Sequence, residues 1–154
     1  MTVKCKMNNN RIASVANYLS AVLLFFFGVV YGMKSSFMPY HAEALGCGWE
    51  EIDGSTQLLI LALMRCVAGG YLAVSVGVAV MQCLFNRYKI KSLAWLIFVS
   101  GWIITGFSVY ATVLVRIYTP GKPPTALAIF GLLLFVVGLF FNLKGLRAND
   151  SQKS

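Results

Sequence analysis

Four long uncharged or nearly uncharged runs constrain this chain more than any other feature. Between Arg11 and Lys34 lie 22 uncharged residues, between Lys91 and Arg116 lie 24, and between Lys122 and Lys144 lie 21. A fourth run, 57–85, carries only Arg65. About 20 apolar residues coiled as a helix cross a hydrocarbon layer of roughly 30 Å. A lone strand in lipid would leave its backbone N–H and C=O groups without partners, so each run must be helical. The expectation is an all-α integral membrane protein: an antiparallel four-helix transmembrane bundle.

Composition agrees with lipid as the solvent. Of the 154 residues 58% are hydrophobic and only 12% charged, with mean hydropathy +0.75. Soluble domains carry about 25% charged residues, and a globule of this size could not hide so much apolar surface from water. The net charge of +8 does not argue for nucleic acid. The basic residues flank the apolar runs instead of forming the folded basic face that nucleic-acid binding requires.

Their distribution gives an orientation. Lys4, Lys6 and Arg11 precede the first run; Arg87, Lys89 and Lys91 separate the second from the third; Lys144, Arg147 and Lys153 follow the last. The other two connections hold Lys34, Arg116 and Lys122 alone. Cytoplasmic flanks collect Lys and Arg, so both termini and the middle connection are expected inside. The expected organisation is a cytoplasmic tail at 1–11, a transmembrane domain at 12–143 and a second tail at 144–154. The helices fall near 12–33, 57–85, 93–115 and 125–143. An outer loop occupies 34–56, an inner loop 86–92 and an outer turn 116–124. The tails, rich in Asn, Ser and Lys, read as disordered.

The first run could be mistaken for a cleaved signal, because Ala42-Glu43-Ala44 has small residues at the right spacing. Its apolar stretch exceeds the 7–15 residues of a signal core and the A-x-A lies beyond its end, so it is read as an anchor. The outer loop carries four of the five carboxylates, Glu43, Glu50, Glu51 and Asp53, beside His41 and Trp49. A short helix is expected after Ser36, with Pro39 in its first turn.

Small residues let membrane helices approach closely. Gly69, Ala73 and Gly77 lie four apart on one face of the second run, with Ala62, Cys66 and Gly70 beside them. Gly101, Thr105, Ser108 and Thr112 make a small, polar stripe on the third. The first offers Asn17, Ser20, Leu24, Gly28 and Tyr31, and the last Gly131, Gly138 and Asn142. All are read as packing seams.

Arg65 is the informative charge. An arginine deep in a membrane is costly and tends to be functional. No carboxylate lies inside any run to neutralise it, so it is expected at the outer boundary near Tyr31, Thr112 and Arg116, paired with Glu43, Glu50 or Asp53. There it pins the outer loop, with Glu50 and Asp53 as structural charge anchors. In a second reading Arg65 and Arg116, with Tyr31, His41 and Glu43, receive an anionic group such as a lipid headgroup, since the guanidinium fork suits carboxylates and phosphates.

Other chemistry finds little footing. The cysteines Cys5, Cys47, Cys66 and Cys83 form no C-x-x-C pair, and one histidine leaves few metal options. No cofactor is implied. The acid inside the first helix that small proton-coupled drug exporters use is missing. So are the paired outer cysteines of thiol-oxidising quinone enzymes and the W-x-x-G-L-W of claudin-like junction proteins. In size and hydropathy the chain resembles small bacterial membrane proteins with four helices, a likeness carried by no motif and implying a bacterial inner (cytoplasmic) membrane. The leading expectation is a noncatalytic accessory or interaction subunit, alone, as a homo-oligomer or with a membrane protein partner. The alternative is a small transporter or lipid/anion-binding protein with its site near Arg65. A membrane enzyme using His41 and its neighbouring acids comes third.

Overall fold

A computed structural model describes residues 9–150; Cys5, Lys4, Lys6 and Lys153 lie outside the described residues. Within them the chain is helical and contains no strand. The helices are α1 (Asn9–Met33), α2 (Pro39–Leu45), α3 (Gly54–Tyr88), α4 (Lys91–Tyr118) and α5 (Thr125–Asp150), with a single 3-10 turn at Trp49–Glu51. Four of them, α1, α3, α4 and α5, are long and apolar enough to cross a membrane. α3, at 35 residues, extends for about 52 Å at 1.5 Å per residue, well beyond the hydrocarbon thickness.

Local signals set the ends. Asp53 caps α3, its Oδ1 accepting from Ser55 N (3.1 Å) and Thr56 N (3.0 Å). The Ser55 hydroxyl, which also donates to this carboxylate, acts with these backbone donors to hold its pKa well below the usual range. α3 stops at Lys89, whose φ of 56° is left-handed, and α4 begins two residues later. Gly46, at φ 70°, closes α2 by donating to Ala42 O. α1 and α5 reach further than the apolar runs suggested. Residues 9–11 and 144–150, expected to be disordered, are helical. No proline interrupts either end, and Gly145 lies where an added Cβ would meet Asn10 Oδ1 at 2.2 Å.

Each long helix packs on two neighbours: α1 on α3 and α5, and α4 on α3 and α5. Glycines permit the closest approaches. A Cβ at Gly28 of α1 would fall 2.8 Å from Leu72 of α3; one at Gly138 of α5 would fall 2.0 Å from Asn17 of α1. At Gly101 of α4 it would strike the fully buried Phe135 ring of α5 at 2.4 Å. Thr105 is buried one turn further along α4, beside Gly131 of α5. Gly69 and Ala73 of α3 point away from this interior. Both are exposed, and nothing lies within 4 Å of the Gly69 Cβ position, while Gly77 is half-buried. The face of α3 that is buried is Met64, Ala68, Ser75, Val78, Gln82 and Phe85.

The core has an apolar middle, Ala21, Leu24, Val78, Ile97 and Phe135, and an amide cluster towards the α3–α4 connection. Gln82 Oε1 accepts from Asn17 Nδ2 (2.7 Å) and Asn142 Nδ2 (3.1 Å). Its Nε2 donates to Asn86 Oδ1 (3.0 Å) and Ser14 Oγ (3.3 Å). One glutamine therefore ties three helices together. The Asn17 Oδ1, without a conventional donor, rests against Gly138, where a Cα–H can supply a weaker bond.

Filling the Gly101 notch tests this packing. Gly101→Ala should lower unfolding stability by about 1–3 kcal/mol, as overpacked sites do, and Phe135→Leu in the same chain should recover part of the loss. A single variant as stable as the parent in a detergent unfolding titration would contradict the contact.

Candidate functional site: a cleft between two helices

In their halves farthest from the connection at 89–90, α3 and α4 leave a partly open cleft of about 770 Å³. The α3 wall is Ile60, Leu63, Met64, Cys66, Val67 and Gly70. The α4 wall is Ile104, Phe107, Tyr110, Ala111 and Val115. Leu63, Phe107 and Tyr110 are exposed at its rim. Gly70 widens it, with Ile104 as its nearest facing side chain at 3.7 Å from a built Cβ. The floor is polar. Tyr71 and Ser108 share a hydrogen bond of 2.8 Å, and Tyr31 and Thr112 stand beside them.

α2 supplies Tyr40 and His41 to the same space. The Tyr31 and Tyr40 hydroxyls hydrogen-bond each other, and burial pushes the Tyr40 phenol well above its ordinary range. α2 is held from behind. Gly121 is buried under Tyr40 O, and Lys122 N donates to Glu43 Oε2 at 3.0 Å. From the other side Phe37 stacks edge-on to Trp49 and to His41, with centroids at 5.1 and 6.3 Å. Met38 N donates to His41 Nδ1 (3.3 Å), which leaves the proton of the neutral ring on Nε2.

A second, smaller cavity of about 60 Å³ lies deeper between the helices. Ser20, Leu24, Thr105, Gly131 and Phe135 line it, and Tyr31, Tyr71, Ser108 and Thr112 border both spaces. Tyr71 and Ser108 thus form a partition between cleft and inner cavity.

The residues singled out from sequence are dispersed by this geometry. Tyr31, His41 and Ser108 meet in the cleft. Arg65 lines neither space. Its Nη1 donates to Tyr31 O and its Nη2 to Lys34 O, both at 2.8 Å. The expected pairing with Glu43, Glu50 or Asp53 is replaced by a cap on α1. The carbonyls at a helix C-terminus lack intrahelical donors and carry partial negative charge, so they serve as the counter-charge. Arg116 is exposed in the last turn of α4 and lines neither space. Glu43 holds the 121–122 turn, Asp53 caps α3, and Glu50 is exposed in the 3-10 turn, where Glu51 Oε2 accepts from Gly48 N. His41 and Glu43 therefore have separate partners and form no acid–base pair. Cys47, Cys66 and Cys83 are free thiols, and among the described residues no three metal-binding side chains gather.

Tyr71 and Gln82 lie outside the stripes expected from the sequence. Two signals were present: Ser75 and Gln82, polar and seven residues apart in an apolar helix, mark an inward face, and Tyr71 lies one turn before Ser75.

The fold and this site define a class: a helical integral membrane protein with an apolar inter-helix cleft over a hydroxyl-lined floor. No family model matches the chain, and neither a curated protein nor a solved structure is significantly similar to it.

His41 makes α2 sensitive to acid. Burial lowers its pKa below the ordinary 6.5, so the unfolded segment takes up a proton before the docked one does. Docking is fully stable above pH 6.5 and weakens as the pH falls through the lower folded value. In a Trp95→Phe/Trp102→Phe background, Trp49 emission should shift red on acidification below pH 6.5. His41→Asn should lose that step; an identical step in the variant would refute the assignment.

Proposed function

We propose that the protein is a noncatalytic membrane binding protein that takes lipid-soluble, amphipathic molecules sideways from the bilayer into the α3–α4 cleft. The observation that carries this reading is the cleft itself: apolar walls on two lipid-length helices, an exposed rim, and a hydroxyl floor within reach of the polar cap of α2. Ligand sites of this size are mostly apolar with a few placed polar groups, and this one adjoins surface that hydrocarbon would cover. The anion-binding version of the site is not favoured, because the Arg65 guanidinium is occupied by α1 carbonyls.

The reading includes an antiparallel bundle with both termini in the cytoplasm, in a bacterial inner membrane. Support for opposed helices comes from pairings such as Asn10 with Gly145 and Asn17 with Gly138, or Ser14 with Asn86 and Gly28 with Leu72. Residue numbers rise on one partner as they fall on the other. Support for the orientation is the bias of Lys and Arg described above. It puts α2, Arg65 and the cleft in the outer half of the membrane.

A second reading, an interaction subunit, is favoured by the exposed face of Gly69 and Ala73. Gly69→Ile should break any self-association without changing cleft binding, if that face seats a partner helix.

Gly70→Phe tests the main reading. A ring projecting from Gly70 would fill the cleft while leaving the buried face of α3 untouched. In nanodiscs, saturable binding of a radiolabelled long-chain alcohol should fall at least tenfold with the thermal midpoint little altered. Equal binding by parent and variant would exclude the cleft.

A further inference from the structure

The polar floor has a sign. Each hydroxyl around the inner cavity carries one proton, and nearly all of those protons are committed. Ser20 Oγ donates to Ala16 O (3.0 Å), Thr105 Oγ1 to Gly101 O (2.6 Å), and Thr112 Oγ1 to Ser108 O (2.9 Å). Ser108 Oγ donates to Ile104 O (2.6 Å). Having spent its proton there, Ser108 must be the acceptor in its contact with Tyr71, so the Tyr71 O–H is committed too. What these five groups present to the cavity is oxygen lone pairs. The Tyr31–Tyr40 pair retains one unassigned proton, at the border with the cleft.

Leu23, Leu24, Phe27, Leu127 and Phe135 make most of the cavity wall apolar, and the acceptors set in it select a donor. At Ser108, Thr105 and Thr112 a carbonyl, ether, carboxylate or phosphate would bring only further lone pairs and be desolvated without compensation. A cation would find acceptors but no counter-charge, since no ionisable carboxylate or basic side chain lines the inner cavity, and an unpaired ion in this setting is costly. A neutral hydroxyl fits both constraints. Size agrees: at about 60 Å³ the cavity has room for about two waters at roughly 30 Å³ each, so it suits a single hydroxyl-bearing head better than a sugar or a phosphodiester.

Resting on the binding reading above, we propose that the ligand is a neutral lipid alcohol or phenol, its chain in the α3–α4 cleft and its hydroxyl donated past Tyr71 to Ser108, Thr105 or Thr112. Tyr71 is the positioning residue at the entrance, because its own proton competes for the Ser108 lone pairs.

The test uses full-length protein in phosphatidylcholine nanodiscs with tritiated hexadecanol bound. The competitors are unlabelled hexadecanol, its methyl ether, hexadecylamine and palmitate, which share one tail. Hexadecanol should compete at about one tenth the membrane concentration of the ether, the ratio one hydrogen bond supplies, and also outcompete the amine and the acid. Thr105→Val with Ser108→Ala should bring alcohol and ether together. Tyr71→Phe, which frees a Ser108 lone pair, should keep or enlarge the preference. An ether equal to the alcohol in the parent, with binding still abolished by Gly70→Phe, would overturn the head-group assignment and leave the cleft standing. Preference for the amine would overturn the claim of neutrality. Absence of saturable hexadecanol binding would remove both the assignment and the binding reading.

Discussion

One glutamine side chain organises this bundle. In lipid, apolar surface does not drive helices together, and packing and inter-helical hydrogen bonds replace it. Gln82 sits where α1, α3 and α5 converge, and its amide accepts from Asn17 and Asn142 while donating to Asn86 and Ser14. Each such bond in a membrane contributes about 0.6 kcal/mol on average, a modest sum for stability. Its larger consequence is register. Sliding α1 by one residue along α3 would separate these amides, move Gly28 off Leu72, and detach the α1 carbonyls from Arg65.

With α1 fixed on both α3 and α5, freedom remains on the far side. α3 and α4 are joined by a short connection and buried together near it through Val78 and Ile97. Beyond Gly70 and Ile104 the Tyr71–Ser108 hydrogen bond joins them with no amide network or glycine notch beside it, and the cleft lies in that interval. α2 then closes over one end through Tyr40 and His41, held by Gly121 and Glu43. The site is therefore a consequence of where the tight contacts stop.

Much of this was legible in the residues. Four spans followed from charge-free length, and the stripes of α1, α4 and α5 contain Asn17, Gly28, Gly101, Gly131 and Gly138, all buried. α3 was harder to read. A glycine facing lipid costs little more than one facing a helix, so the spacing of Gly69, Ala73 and Gly77 carried no information about direction. Polar residues did, because Ser75 and Gln82 cannot face hydrocarbon cheaply. Arg65 illustrates a different limit. Its charge demanded a partner, and the acidic loop offered formal charges, but a helix end offers carbonyl oxygens that no residue letter records. The cleft was invisible for a related reason: it depends on two helices failing to meet, which sequence patterns of contact do not describe.

The claim on which the functional account rests is that the α3–α4 cleft holds amphipathic molecules from the bilayer. A diazirine-bearing long-chain alcohol, photolysed with the protein in lipid bilayers and mapped by mass spectrometry, addresses it directly. Adducts concentrated on 60–70 and 104–115, and displaced by excess unlabelled alcohol, are the predicted result. Adducts spread evenly over every lipid-facing surface, including Leu133, Val136 and Phe140 of α5, and indifferent to competitor, would contradict it.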